Sequence, residues 1–134
     1  MKNSYMIRNA LRTPDGTILQ SRHRHDYVTH KDKNGKEYMV DGGLAYVRCS
    51  ANGDEEMMVV TLAEPHEEIR EACDWGTRLC GSLSLSWIKL CDMTTDHIEA
   101  VLKNVPSINA GIKIAMENEL LYRRQHDKNF SDRH

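Results

Sequence analysis

A chain of 134 residues with 18 basic and 20 acidic side chains, net charge −2, has room for one domain. That balance excludes a general electrostatic pull toward nucleic acid or a membrane surface, so any anion must be attracted locally. No apolar run approaches the roughly 20 residues of a membrane span, and MKNSYMIRNALR lacks the apolar core of a secretion signal, which gives the expectation of a cytosolic protein.

The first half is punctuated by turn sequences. TPDG (13–16) separates MIRNALR from TILQS, and KNGK (33–36) separates DYVTHKD from EYMV. Proline presets φ in such turns, and glycine or asparagine accepts a positive one. After DGG (41–43) comes LAYVRCS, where Leu44, Tyr46 and Val47 read as a half-buried strand; a third turn, ANGDE, and MMVVTL follow. Residues 5–62 are thus predicted to form an antiparallel meander of five or six strands.

The period then changes. EPHEEIREACDWG predicts a helix with Pro65 in its first turn, Glu67 and Glu68 near its positive end and Gly76 as its stop. SLSLSWIKL (82–90) alternates as a strand. In TTDHIEAVLKNVP, Thr94 or Asp96 is the N-cap, Ile98, Val101, Leu102 and Val105 share a face, and Pro106 ends the helix. SINAGIKIAMENELLYRRQ is predicted as a last helix capped by Ser107. The expected class is α+β in a single domain, 1–134: hairpins at 5–62, a helical part at 63–125 containing the strand, and a frayed polar tail at 126–134.

On the last helix Ile108, Ile112, Ala115, Glu119 and Tyr122 fall on one face, which sets a carboxylate in an apolar stripe. Such a group needs a partner, and Arg123 lies four residues on in the favourable order. Either the pair is structural, or Arg123 and Arg124 face a pocket or a second subunit and grip an anion. Ile112, Ile114, Ala115, Met116, Leu120 and Leu121 leave this helix apolar nearly all round, so a homo-oligomer is expected, a dimer through the C-terminal helices or a higher assembly.

SRHRHDY (21–27) and VDGG (40–43) carry the densest functional groups. Read as a strand, the first puts His23 and His25 on one face and Arg22 and Arg24 on the other, with Asp26 turned away from the histidines. Ser21 has no elbow motif, and no paired carboxylates, phosphate-loop lysine or zincin helix occurs, so no catalytic residues are assigned. Cys49, Cys73, Cys80 and Cys91 form no Cys-x-x-Cys pair; they read as reduced thiols, and no metal or cofactor is expected. Arg24 and Arg48 beside a Gly-Gly step could bind an anion through guanidinium forks and open amides. Alternatively His23, His25, Asp26, Asp41, Gly42 and Gly43 form a structural corner, with the aspartates satisfying nearby donors. On that reading Asp41→Ala lowers the melting temperature, and Arg123→Ala weakens ligand binding while leaving melting nearly unchanged.

SRHRHDYV…EYMVDGGLAYVR (21–48) resembles a K-H-R-H-D-F…V-D-G-G-x-D-Y-x-R-R pattern of small phage-encoded and bacterial proteins of mostly unassigned function. In such relatives the pattern sits on zinc-ribbon-like hairpins with cysteine turns. Here TPDG and THKDKNGK occupy the turns, so the resemblance implies degenerate hairpins that have kept their shape without the metal. PHEEIREACDWGT…DMTTDHIEAVLKN…ENELLYRR (65–124) is similar to a second phage pattern with a Trp-Gly step and closing helices. In its order of elements the chain also resembles anti-Thoeris sponges, phage counter-defence proteins that sequester cyclic ADP-ribose signals, though no ligand residue carries over position by position. The resemblance implies a non-catalytic protein in the cytoplasm of the infected cell that sequesters a phosphate-bearing cyclic nucleotide; by their chemistry, Arg123 and Arg124 are the expected phosphate contacts and Trp75 the ring that stacks on the base. The alternatives are a protein–protein inhibitor of a host enzyme and a small nucleic-acid-binding module; the near-neutral charge disfavours the second.

Overall fold

A computed structural model describes residues 5–23, 26–78 and 85–126. The chain is α+β and divides into two compact units, Met1–Ala63 and Glu64–His134.

The first unit is all strand and turn. β1 (Met6–Arg12) and β2 (Ile18–Ser21) form one hairpin, β3 (Val28–Lys31) and β4 (Glu37–Asp41) a second, and β5 (Arg48–Cys49), β6 (Glu56–Met57) and β7 (Val60–Thr61) are short. Both turns close as their residues dictate. Gly16 and Gly35 take φ of +90° and +84°, and Asp32 Oδ1 accepts from the amides of Asn34 and Lys36 at 2.9 Å. The strands do not make one meander, as the turn spacing predicts, but two sheets: β2-β1-β6, with β7 also on β1, and β3-β4-β5. The seven residues of β1 are long enough for β6 and β7 to share its second edge, through Leu11 and Arg12 and then through Met6 and Arg8. Leu11, Leu19 and Val40 form the core between the hairpins, with Val28 and Cys49 against them.

The alternation predicted for 44–47 is absent. Gly42 and Gly43 take φ of +104° and +55°, the Ala45 amide bonds back to Gly42 O at 3.0 Å, and Tyr46 and Val47 are exposed. A Cβ on Gly42 would lie 2.1 Å from Tyr46 O, so only glycine fits this turn.

In the second unit α1 (His66–Ala72) starts after Pro65 and stops at Cys73, whose extended backbone leads into β8 (Asp74–Arg78). Gly76, read from the sequence as the helix stop, is instead a strand residue. It pairs across the ladder with Trp87 of β9 (Leu85–Lys89), and a Cβ there would meet Trp87 Cζ3 at 3.0 Å. The indole covers the glycine, which is why a small residue is needed. A 3₁₀ turn (Leu90–Asp92) leads to α2 (Thr95–Asn104), capped by Thr94 Oγ1 accepting from the His97 amide at 3.1 Å. α3 (Ala110–His126) is capped by Asn109, whose Oδ1 accepts from the Ile112 amide at 3.0 Å; the cap is not Ser107, two residues earlier. The buried positions of α3 are Gly111, Ile112, Ala115, Met116 and Glu119, whereas Leu121 is 51% exposed. Among the described residues no helix is long and apolar enough to cross a membrane. Residues 82–84 of the predicted strand, Cys80 and the tail beyond His126 lie outside the described residues.

Candidate binding site

The two polar stretches of the first unit meet and bond to each other. Ser21 Oγ accepts from the Gly43 amide at 2.8 Å and donates to Asp26 O at 2.7 Å, and Asp26 Oδ2 accepts from the Arg22 amide at 2.9 Å. Asp41 Oδ1 accepts from the Gly42 amide at 2.8 Å. Asn9, fully buried, donates Nδ2 to the carbonyls of Asp41, Gly43 and Tyr46 at 3.0, 2.9 and 3.1 Å. After Ser21 the chain leaves the strand and bends at His23. His23 is exposed; Arg24 and His25 lie outside the described residues.

The face of β3-β4-β5 turned away from the core is the more accessible surface. The register sets Thr29 opposite Met39, Lys31 opposite Glu37 and Arg48 opposite Asp41, with all six side chains on one side. The pleat turns Tyr38 and Val40, both buried, to the other side. Around this ladder is a pocket of about 510 Å³ lined by Tyr27, Thr29, His30, Lys31, Glu37, Tyr38 and Met39. Tyr27 is 55% exposed. Lys31 stands 3.6 Å from Glu37 and Arg48 3.7 Å from Asp41, too far for a hydrogen bond, and both cationic side chains are largely exposed. Lys31 and Arg48 flank opposite ends of a floor made by Thr29 and Met39. Four strand residues, about 13 Å, separate their positions along β4. His30 is tied to Asp15 at 2.9 Å, and hydrogen bonds from Thr13, then from His30, hold the Asp15 carboxyl well below its ordinary range.

In the second unit Glu119 is fully buried and accepts four hydrogen bonds: from Arg70 Nε and Nη2 at 2.9 and 2.8 Å, Arg123 Nε at 2.7 Å and His66 Nε2 at 2.9 Å. Burial alone would raise its pKa; the bonds from Arg70, then His66 and Arg123, outweigh that and hold it at about 2. Arg123 also donates to Thr95 Oγ1 at 2.9 Å, Met93 O at 2.7 Å and Leu90 O at 3.3 Å. Its guanidinium therefore ties α3 to the turn before α2 and has little left to offer a ligand. Arg124 is exposed on α3, and Trp75 sits half-buried on β8 opposite Ile88. Arg123, Arg124 and Trp75 do not line the sheet-face pocket, and Arg48 stands opposite Asp41 on the same sheet face.

The carboxylates driven strongly low, Asp15, Glu55 and Glu119, are saturated by donors; none is poised near neutrality as a proton-transferring group must be. Among the described residues no cluster of histidine, cysteine, aspartate or glutamate gathers as metal ligands. No family model, curated protein or solved structure matches the chain. Sequence reasoning missed Tyr27, Lys31 and Met39, although the alternation of EYMV and DYVTHKD about the KNGK turn already put Met39 and Thr29 on one face. It also missed Asn9, for which a polar residue inside an apolar strand was the available signal.

Proposed function

We propose that this protein acts by binding rather than catalysis and sequesters a phosphate-bearing nucleotide on the outer face of β3-β4-β5. The observation that carries this reading is a pocket of about 510 Å³ lined both by an exposed tyrosine, Tyr27, and by an exposed cation, Lys31. A ring stacks on a base, and Lys31 and Arg48, at separated ends of one floor, attract phosphate. Their spacing suits a ligand the size of a nucleotide better than a lone inorganic phosphate. The volume falls within the usual range of small-molecule sites. In the setting implied by the sequence resemblance, such binding serves a phage by removing a cyclic nucleotide signal from its host.

Calorimetric titration with linear and cyclic nucleotides tests the reading. Lys31→Ala combined with Arg48→Ala should weaken binding about tenfold or more, added salt should weaken it further, and ligand released by heating should be chemically intact. A double variant that binds like the parent, or a ligand released in altered form, overturns it.

A further inference from the structure

Asparagine followed by glycine occurs at Asn34–Gly35 and at Asn52–Gly53, and both pairs lie in exposed connections of the first unit. This dipeptide carries a reaction of its own. The glycine nitrogen can attack the asparagine side-chain carbon, Cγ, and glycine, lacking a Cβ, leaves the approach unhindered. Nothing lies within 4 Å of where a Cβ would stand on Gly35 or Gly53, so space does not distinguish the two pairs. Their hydrogen bonds do.

At Asn52 both reacting groups are held. Its Nδ2 donates to Glu37 O at 2.8 Å, which fixes the side chain that must swing toward the glycine nitrogen. The Gly53 amide donates to Glu55 Oε1 at 2.9 Å, and the other oxygen of that carboxylate accepts from the Asn52 amide at 2.9 Å. An amide proton held by a carboxylate is hard to remove, because an anion would then form beside an anion. At Asn34 the restraints are weaker. Its side chain is exposed and makes no hydrogen bond among the described residues. Asp32 Oδ1 accepts from the amides of Asn34 and Lys36 at 2.9 Å each, which leaves the Gly35 N–H on a neutral oxygen, Asp32 O, at 3.0 Å.

We infer that Asn34 is a self-modification site, converted to aspartate and isoaspartate with water as the co-reactant, whereas Asn52 is protected by its hydrogen bonds. Gly35 N gives its proton to water and bonds to Asn34 Cγ. The Cγ–Nδ2 bond breaks, and the side-chain nitrogen takes a proton from water and leaves as ammonia. A water molecule then adds to one carbonyl of the cyclic imide that results. Opening at Cγ gives aspartate, and opening at the main-chain carbonyl gives isoaspartate; nothing is oxidised or reduced. The new carboxylate makes the chain one charge more negative. In the isoaspartate product the main chain gains a methylene inside the turn that the Asp32 N–H closes on Lys36 O at 3.0 Å, next to the paired positions Lys31 and Glu37. The site stands whether or not the sheet face binds nucleotide.

Peptide mapping by mass spectrometry tests this on the full chain kept in mildly alkaline buffer, native in one sample and unfolded in urea in another. Fragmentation spectra separate isoaspartate from aspartate. In the native protein Asn34 should be converted about tenfold or more faster than Asn52, which must first release an extra side-chain bond and a charge-assisted amide bond. In urea the two should be converted at similar rates, since both are then asparagine–glycine in an open chain. The comparison is made within one molecule, so no variant has to fold. The inference is overturned if Asn34 stays intact in the native protein while the unfolded chain is converted, or if Asn52 keeps pace with Asn34 in the native protein. It is also overturned if the same preference for Asn34 persists in urea, where local sequence alone can cause it.

Discussion

Replacing Glu119 by glutamine keeps the side chain's size and removes the charge on which three other side chains converge. Arg70, Arg123 and His66 all donate to this carboxylate, which no solvent reaches. A carboxyl with a pKa of 4.5 when free and about 2 when folded contributes about 3 kcal/mol to stability at neutral pH. Because the folded value is the lower one, that contribution is fully present above the free value and is lost as pH falls from 4.5 toward 2. Glutamine keeps one acceptor oxygen but turns an amide NH₂ toward a guanidinium, so the loss at neutral pH should be at least about 3 kcal/mol, as when a buried ion pair loses one partner. Urea unfolding followed by tryptophan fluorescence is the assay, since both tryptophans, Trp75 and Trp87, belong to the unit Glu64–His134. The midpoint should drop by more than about 1 M, and the parent's steep loss of stability in acid should be blunted in the variant. If the midpoint at neutral pH is unchanged, or if both proteins lose stability in acid along the same curve, the network does not hold this unit together as its geometry indicates.

Gly42→Ala should destabilise the first unit by about 2 kcal/mol or more, because it combines a φ of +104° with a Cβ pressed on Tyr46 O; thermal unfolding by circular dichroism will show it. Arg123→Ala should lower the melting temperature clearly and leave nucleotide binding at the sheet face unchanged, the reverse of what its sequence position suggests. Gly76→Ala should displace the Trp87 indole and shift the fluorescence maximum. The Cys73 thiol, pushed up to about 12 chiefly by burial, should resist alkylation in the native state and react only on unfolding, as peptide mass mapping can follow.

What the sequence made legible was local. The TPDG and KNGK turns, the Thr94 cap and the Glu119–Arg123 pair all depend on residues within about four positions of one another, and each is in place. Arg70 and His66 reach Glu119 across 49 and 53 residues, a separation that no periodicity encodes. LAYV looked like a strand because its side chains alternate; the paired positive φ at Gly42 and Gly43 overrides that pattern by turning the backbone first. Gly76 looked like a helix stop because its cover, Trp87, arrives only when β9 pairs with β8. Tyr27, Lys31 and Arg48 went uncombined for a similar reason. They share a face only through the register of three strands.

Asn9 has a consequence for folding fidelity. β1 pairs with three other strands, and Asn9, Ala10 and Leu11 are all buried in succession. A strand apolar on both faces gives hydrophobicity little means of telling one alignment from its neighbour a residue away. The three carbonyls gathered around Asn9 Nδ2 can tell them apart. Slide β1 by one residue and either Ala10, which donates nothing, or Arg8, which is too long, enters that polar hole, leaving three oxygens dehydrated and unmet. Asn9 therefore works as a proofreading key that admits a single threading of the central strand.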